Sequence, residues 1–141
     1  MVIHHCPSNC HTHVVGTVGT GATGSLSAPD HAYPSYLELD LTATDSGGLS
    51  ATTSVLLQPK TVVLTFSTTP GVLQLTVNDA TSSSSFTRTV IVRSANSIFA
   101  PSPQIKAKSS YLFTSWSDGG AQAHNIIAPA TATTYTARYR K

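Results

Sequence analysis

Both cysteines and four of the six histidines of this 141-residue chain fall in its first thirteen residues, in the run His4-His5-Cys6-Pro7-Ser8-Asn9-Cys10-His11-Thr12-His13. His31 follows beside Asp30. Imidazoles and thiols bind metals, and thiols also pair as disulfides. The rest of the chain is dominated by Ser, Thr, Ala, Gly and Val, which build strands more readily than they do chemistry. Any reactive site is therefore expected at the N-terminal end.

Cys6 and Cys10 are separated by three residues that include Pro7. A turn there brings two Cβ atoms within bonding distance, so an oxidising compartment gives a local disulfide. Zinc held by Cys-x3-Cys with histidines is an alternative, and free thiols are a third. His11 and His13 stand two apart. On a strand that spacing puts both rings on one face, a chelating arrangement for zinc or copper. His31 is the best third ligand, with His4, His5 and Asp30 behind it. Calcium is a weaker reading, resting on Asp30, Glu38, Asp40 and Asp45, whose spacing matches no EF-hand loop. Ser117, Asp118 and His124 lie close in sequence, but Ser-Asp-Gly-Gly reads as a turn and there is no Gly-x-Ser-x-Gly elbow. These residues lean away from a hydrolase.

The elements that must position these groups read as strands. Residues 36–44 alternate, so Leu37, Leu39, Leu41 and Ala43 are expected against a core and Glu38, Asp40 and Thr42 toward water. Asp45-Ser46-Gly47-Gly48 is a turn, and residues 49–57 return, making 36–57 a hairpin. Strands follow at 61–66, 72–77, 86–93, 111–116, 123–127 and 134–139. A polar loop is expected at 78–85 and an irregular connection at 94–110. Gly16 to Gly24 is a flexible link. No window carries a helical period. The fold class is all-β, with two small antiparallel sandwich-like units, 1–59 and 60–141. The division follows charge. Residues 1–59 hold four acids and no Lys or Arg, whereas all eight basic residues lie at 60–141. These are scattered, so nucleic acid is not an expected partner.

Only 10% of residues are charged, against about a quarter in average globular chains. A Ser- and Thr-solvated surface of this kind suits secreted β-modules. No apolar run is long enough to span a membrane as a helix. Met1-Val2-Ile3 leads straight into histidines with no export signal, so a module of a larger secreted protein is expected. Aromatic rings offer a second chemistry, the stacking of sugars. Trp116, the sole Trp, suits a core. Tyr33 beside Pro34, and Tyr36, are better candidates for an exposed platform.

Two resemblances sharpen this. Leu39-Asp40-Leu41-Thr42-Ala43-Thr44-Asp45-Ser46-Gly47-Gly48-Leu49-Ser50-Ala51-Thr52 resembles the last hairpin of a PKD-type or related immunoglobulin-like module. Tyr111-Leu112-Phe113-Thr114-Ser115-Trp116-Ser117-Asp118-Gly119-Gly120, with Thr134-Tyr135-Thr136-Ala137-Arg138-Tyr139, is similar to the end of small bacterial β-repeat modules. The chain as a whole resembles the C-terminal region of secreted actinobacterial proteins, including PQQ-type sugar dehydrogenase-like proteins. The resemblance implies a non-catalytic accessory module that binds polysaccharide or another extracellular polymer. The alternative is a small zinc or copper protein, or a metal-dependent enzyme, built on His11, His13 and His31. An immunoglobulin-like sandwich takes about seven strands over roughly 100 residues. The first unit is shorter and lacks the early strands, which exposes an edge and leads to the expectation of a homodimer.

Overall fold

Alternation at 36–57 produces the expected hairpin. β3 (Ser35–Thr44) runs antiparallel to β4 (Ser50–Leu57), with Leu39 opposite Val55 and Thr42 opposite Thr52. The turn is built by Asp45, whose Oδ1 accepts the N–H groups of Gly47 (2.8 Å) and Leu49 (2.9 Å). Gly48 has φ +87°, a conformation that a side chain disfavours. The computed structural model describes residues 1–6, 10–21 and 23–141. Among these it contains strands and no helix. The chain divides into two compact units, Met1–Lys60 and Thr61–Lys141.

The first unit is a four-stranded antiparallel sheet in the order β2-β1-β3-β4, with β1 at Val2–His5 and β2 at His11–Val14. β1 escapes a pattern reading because its four residues, Val-Ile-His-His, do not alternate. Paired residues of an antiparallel ladder share a face, and so do residues two apart on one strand. Ile3, His5, His11, His13, Ser35, Leu37, Leu39 and Leu41 therefore occupy one face. His4, Thr12, Tyr36, Glu38 and Leu56 occupy the other.

The expectation that Leu37, Leu39, Leu41 and Ala43 all meet a core is only half met. Ile3 is 5% exposed, but burial fades along the hairpin until Leu41 is 62% and Val55 53% exposed. The segment from Gly16 to Leu26 borders an open groove with Leu39, Leu41, Thr53 and Val55. It is made mostly of Gly and Thr, which offer little apolar area to lay over leucines.

The second unit has two sheets. One runs β10-β11-β13-β5-β8, from β10 (Gln104–Lys106), β11 (Ser109–Trp116), β13 (Thr133–Arg140), β5 (Thr61–Thr69) and β8 (Phe86–Ile91). The other runs β12-β9-β6-β7, from β12 (Ala123–Ile127), β9 (Ala95–Phe99), β6 (Gln74–Val77) and β7 (Ala80–Ser83). Alternate residues form one core around Leu64, Phe66, Leu75, Ile98, Trp116 and Ala137. Trp116 is 2% exposed and donates its indole N–H to the Gln122 carbonyl at 3.2 Å. The two halves of the β-repeat-like motif are neighbours, with Phe113 opposite Tyr139 and Trp116 opposite Ala137.

Three expectations are corrected here. Residues 78–85 are not all loop, because Asn78 and Asp79 adopt positive φ (48° and 65°) in a tight turn that lets Ala80–Ser83 pair with β6. Residues 94–110 contain β9 and β10; in β9, Asn96 and Ile98 alternate inward between exposed neighbours. The larger sheet is mixed, since β13 runs parallel to β5 from Thr133 opposite Leu64 to Arg138 opposite Thr69.

Candidate metal centre

The histidines are gathered by a hairpin and a returning loop. β1 and β2 pair so that His5 lies directly opposite His11 and Ile3 opposite His13. Cys6 and Cys10 close the connecting loop as a disulfide, with their Cα atoms 4.4 Å apart. Of the three fates read for these thiols, pairing is the one observed. Pro7, Ser8 and Asn9, within that loop, lie outside the described residues. The ladder extends past β2, where the Val15 N–H donates to the Met1 carbonyl at 3.0 Å. The chain then crosses back before β3 and carries His31 to the same face. Its return is anchored by the Cys6 N–H, which donates to the Pro34 carbonyl at 3.2 Å.

The result is a cycle of four imidazoles. Ring centres are separated by 5.2 Å for His5–His11, 4.7 Å for His11–His13, 5.3 Å for His13–His31 and 4.8 Å for His31–His5. Three contacts are edge to face and the fourth is tilted. Burial lowers the pKa of His5, and the neighbouring charges of His31, His11 and His13 lower it further. Positive charge on its neighbours disfavours protonation of His5 and keeps its lone pair available. His31 places Nδ1 at 3.3 Å from the Ala32 carbonyl. An N–H at Nδ1 leaves Nε2 as the lone-pair nitrogen. As the rings stand, no group of three or more His, Cys, Asp or Glu side chains among the described residues is arranged to hold a metal ion. The rings pack against one another and their nitrogens do not converge.

The structure thus brings His11, His13 and His31 together, and the fourth ring is His5. His4 is excluded by parity. It lies on the opposite face, stacked on Tyr36 at 4.7 Å, with Nε2 2.7 Å from Glu38 Oε2. Hydrogen bonds from His4 and Ser54 hold the Glu38 carboxyl below its ordinary range. Glu38 and Asp45 are thereby engaged locally and form no calcium loop together. Tyr36 is occupied by His4, whereas Tyr33 is 47% exposed. The signal that would have found His5 was the Cys-x3-Cys turn itself, because a disulfide closing a hairpin makes the flanking residues His5 and His11 a cross-strand pair.

In the second unit His124 Nε2 lies 2.9 Å from Asp118 Oδ2, and Nδ1 lies 2.7 Å from the Ala121 carbonyl. Both ring nitrogens are taken. Ser117 Oγ instead accepts the Thr136 N–H at 3.0 Å, so the three residues make a loop clamp and not a nucleophile with its base. Among the described residues no helix is long and apolar enough to cross a membrane. Comparison with protein-family models, with curated proteins and with solved structures finds no match for this chain.

Proposed function

We propose that the first unit binds a late first-row divalent metal ion, zinc or copper, through His5, His11, His13 and His31. The observation that carries this reading is the closed cycle of four ring centres spaced 4.7–5.3 Å. With a metal–nitrogen bond of about 2.0–2.1 Å and roughly 1.1 Å more to the ring centre, tetrahedral ligation sets the ring centres about 5 Å apart. The four separations around the cycle match that value, and the rings must turn for their nitrogens to converge on one ion. His11 and His13 are exposed. Turning such rings costs on the order of 1 kcal/mol each, small beside the binding free energy of a four-ligand site.

Neutral imidazoles favour zinc and copper over calcium, which takes oxygen donors. Four protein ligands make a closed site that holds the ion, unlike catalytic zinc with its water position. This reading agrees with a non-catalytic module, and the disulfide agrees with secretion into an oxidising compartment. The polymer-binding reading rests on exposed Tyr33, two residues beyond His31.

Titration of chelator-free protein against a chromophoric competitor tests the proposal. One zinc or copper ion per chain is expected, with at least tenfold weaker binding in His13→Ala and in His31→Ala. Nitrogen hyperfine structure from several imidazoles is expected in the copper spectrum. His4→Ala should leave the stoichiometry unchanged. No bound ion at micromolar zinc or copper removes the metal reading, and retention on insoluble polysaccharide that Tyr33→Ala abolishes would put the polymer reading in its place.

A further inference from the structure

Two of the four imidazoles stand next to the disulfide in the chain, as His5-Cys6 and Cys10-His11. A third, His13, is on the same short strand as His11. β2 is an edge strand of four residues with every side chain exposed, so no core holds it. It is held by its ladder to β1, by the Val15–Met1 hydrogen bond and by the Cys6–Cys10 bond. β1, by contrast, is paired on both sides, with β2 and β3. Besides the main chain of the connecting loop, the disulfide ties together covalently the strand pair that presents His5, His11 and His13.

We infer that the Cys6–Cys10 disulfide gates metal occupancy at this site, a step that rests on the metal reading above. Oxidised, it keeps β2 in register and holds the three rings in place. Reduction proceeds by thiol–disulfide exchange. A thiolate of a dithiol reductant attacks one cysteine sulfur, the Cys6–Cys10 bond breaks, and the second thiol resolves the mixed disulfide. Two electrons and two protons pass to the protein, leaving Cys6 and Cys10 as thiols and the reductant as a cyclic disulfide. β2 then frays and presents its two histidines less often, so the affinity of the imidazole site falls. For a loop this short, the closure entropy that is lost corresponds to roughly thirtyfold in an equilibrium constant. Linkage makes the effect reciprocal, so the bound ion stabilises the oxidised form by the same factor.

Zinc is the probe, because it does not itself change oxidation state. Competition titration compares the oxidised protein, the protein reduced with a water-soluble phosphine, and the Cys6→Ser/Cys10→Ser variant, which supplies no thiolate ligand. The expected result is zinc affinity about 10- to 30-fold weaker in the variant than in the oxidised protein. In a second arm, saturating zinc should shift the thiol–disulfide equilibrium of the unmodified protein in a glutathione redox buffer toward the disulfide by a similar factor, which requires no variant to fold. Equal affinity in oxidised and variant proteins, tighter binding after reduction, or a thiol–disulfide equilibrium that zinc leaves unchanged overturns the gating. Absence of zinc binding to the oxidised protein overturns the metal reading itself.

Discussion

His124 shows how a single residue can be fixed by its acceptors. The Ala121 carbonyl and the Asp118 carboxylate both face its nitrogens, and the ring packs against Trp116 at 6.0 Å between centres. Gly120 belongs to the same clamp, since a Cβ there would run into the His124 ring. Burial works against ionisation of Asp118, but hydrogen bonds from His124 and the Gly120 N–H, with the charge of His124, outweigh it and lower the pKa. A carboxyl whose folded pKa is depressed stabilises the fold above its ordinary value of 3.8, and that contribution is lost as pH falls through the lower folded value. The second unit should therefore lose stability in the acid range below about 4. Asp118→Ala is expected to flatten that acid limb and to cost about 1 kcal/mol at pH 7, or roughly 4–8 °C in a domain of this size. Melting curves of the two proteins across pH provide the check, and an unaltered acid limb in the variant would assign the acid loss elsewhere.

At the scale of elements, period-two alternation made most of the sheet legible. β3, β5, β8, β11, β12 and β13 each carry it over five or more residues, whereas β4 is read from the turn that precedes it. The missed strands are short or polar. β7 reads Ala-Thr-Ser-Ser and is stabilised by pairing with β6, including Thr76 to Thr81 hydroxyls at 2.8 Å, which no apolar pattern encodes. The i, i+2 spacing of His11 and His13 fixed their common face, whereas His31 depended on where a long irregular segment returns. The expected homodimer belongs at this scale too. β4 is an edge strand with no charge and no proline, and all eight of its residues are exposed. Natural edges usually carry such blocking residues, so this one is open to pairing with a second copy. Val55→Lys should abolish concentration-dependent association in sedimentation velocity while changing stability by no more than about 0.5 kcal/mol, because Val55 is already half exposed. A wild-type chain that sediments as a monomer at every concentration would remove the dimer.

The molecule as a whole is uneven in what it buries. Of its buried apolar residues, Ile3 alone among the described residues belongs to the first unit, and all the others line the core of the second. Stability follows buried apolar area, so the first unit depends on backbone pairing, its disulfide and whatever binds it. Small domains with too little core are commonly held by disulfides or metals, and this unit has the one and the ring spacing for the other. Two thermal transitions are expected, the lower from residues 1–60. A ligand that binds one folded unit stabilises that unit alone, by about 2.7 kcal/mol at a concentration one hundred times its dissociation constant. Zinc should accordingly raise the lower transition and leave the upper one in place, as read by calorimetry with and without the ion. A zinc-induced shift of the upper transition would instead put the ion on the second unit, where His124 is the one remaining histidine.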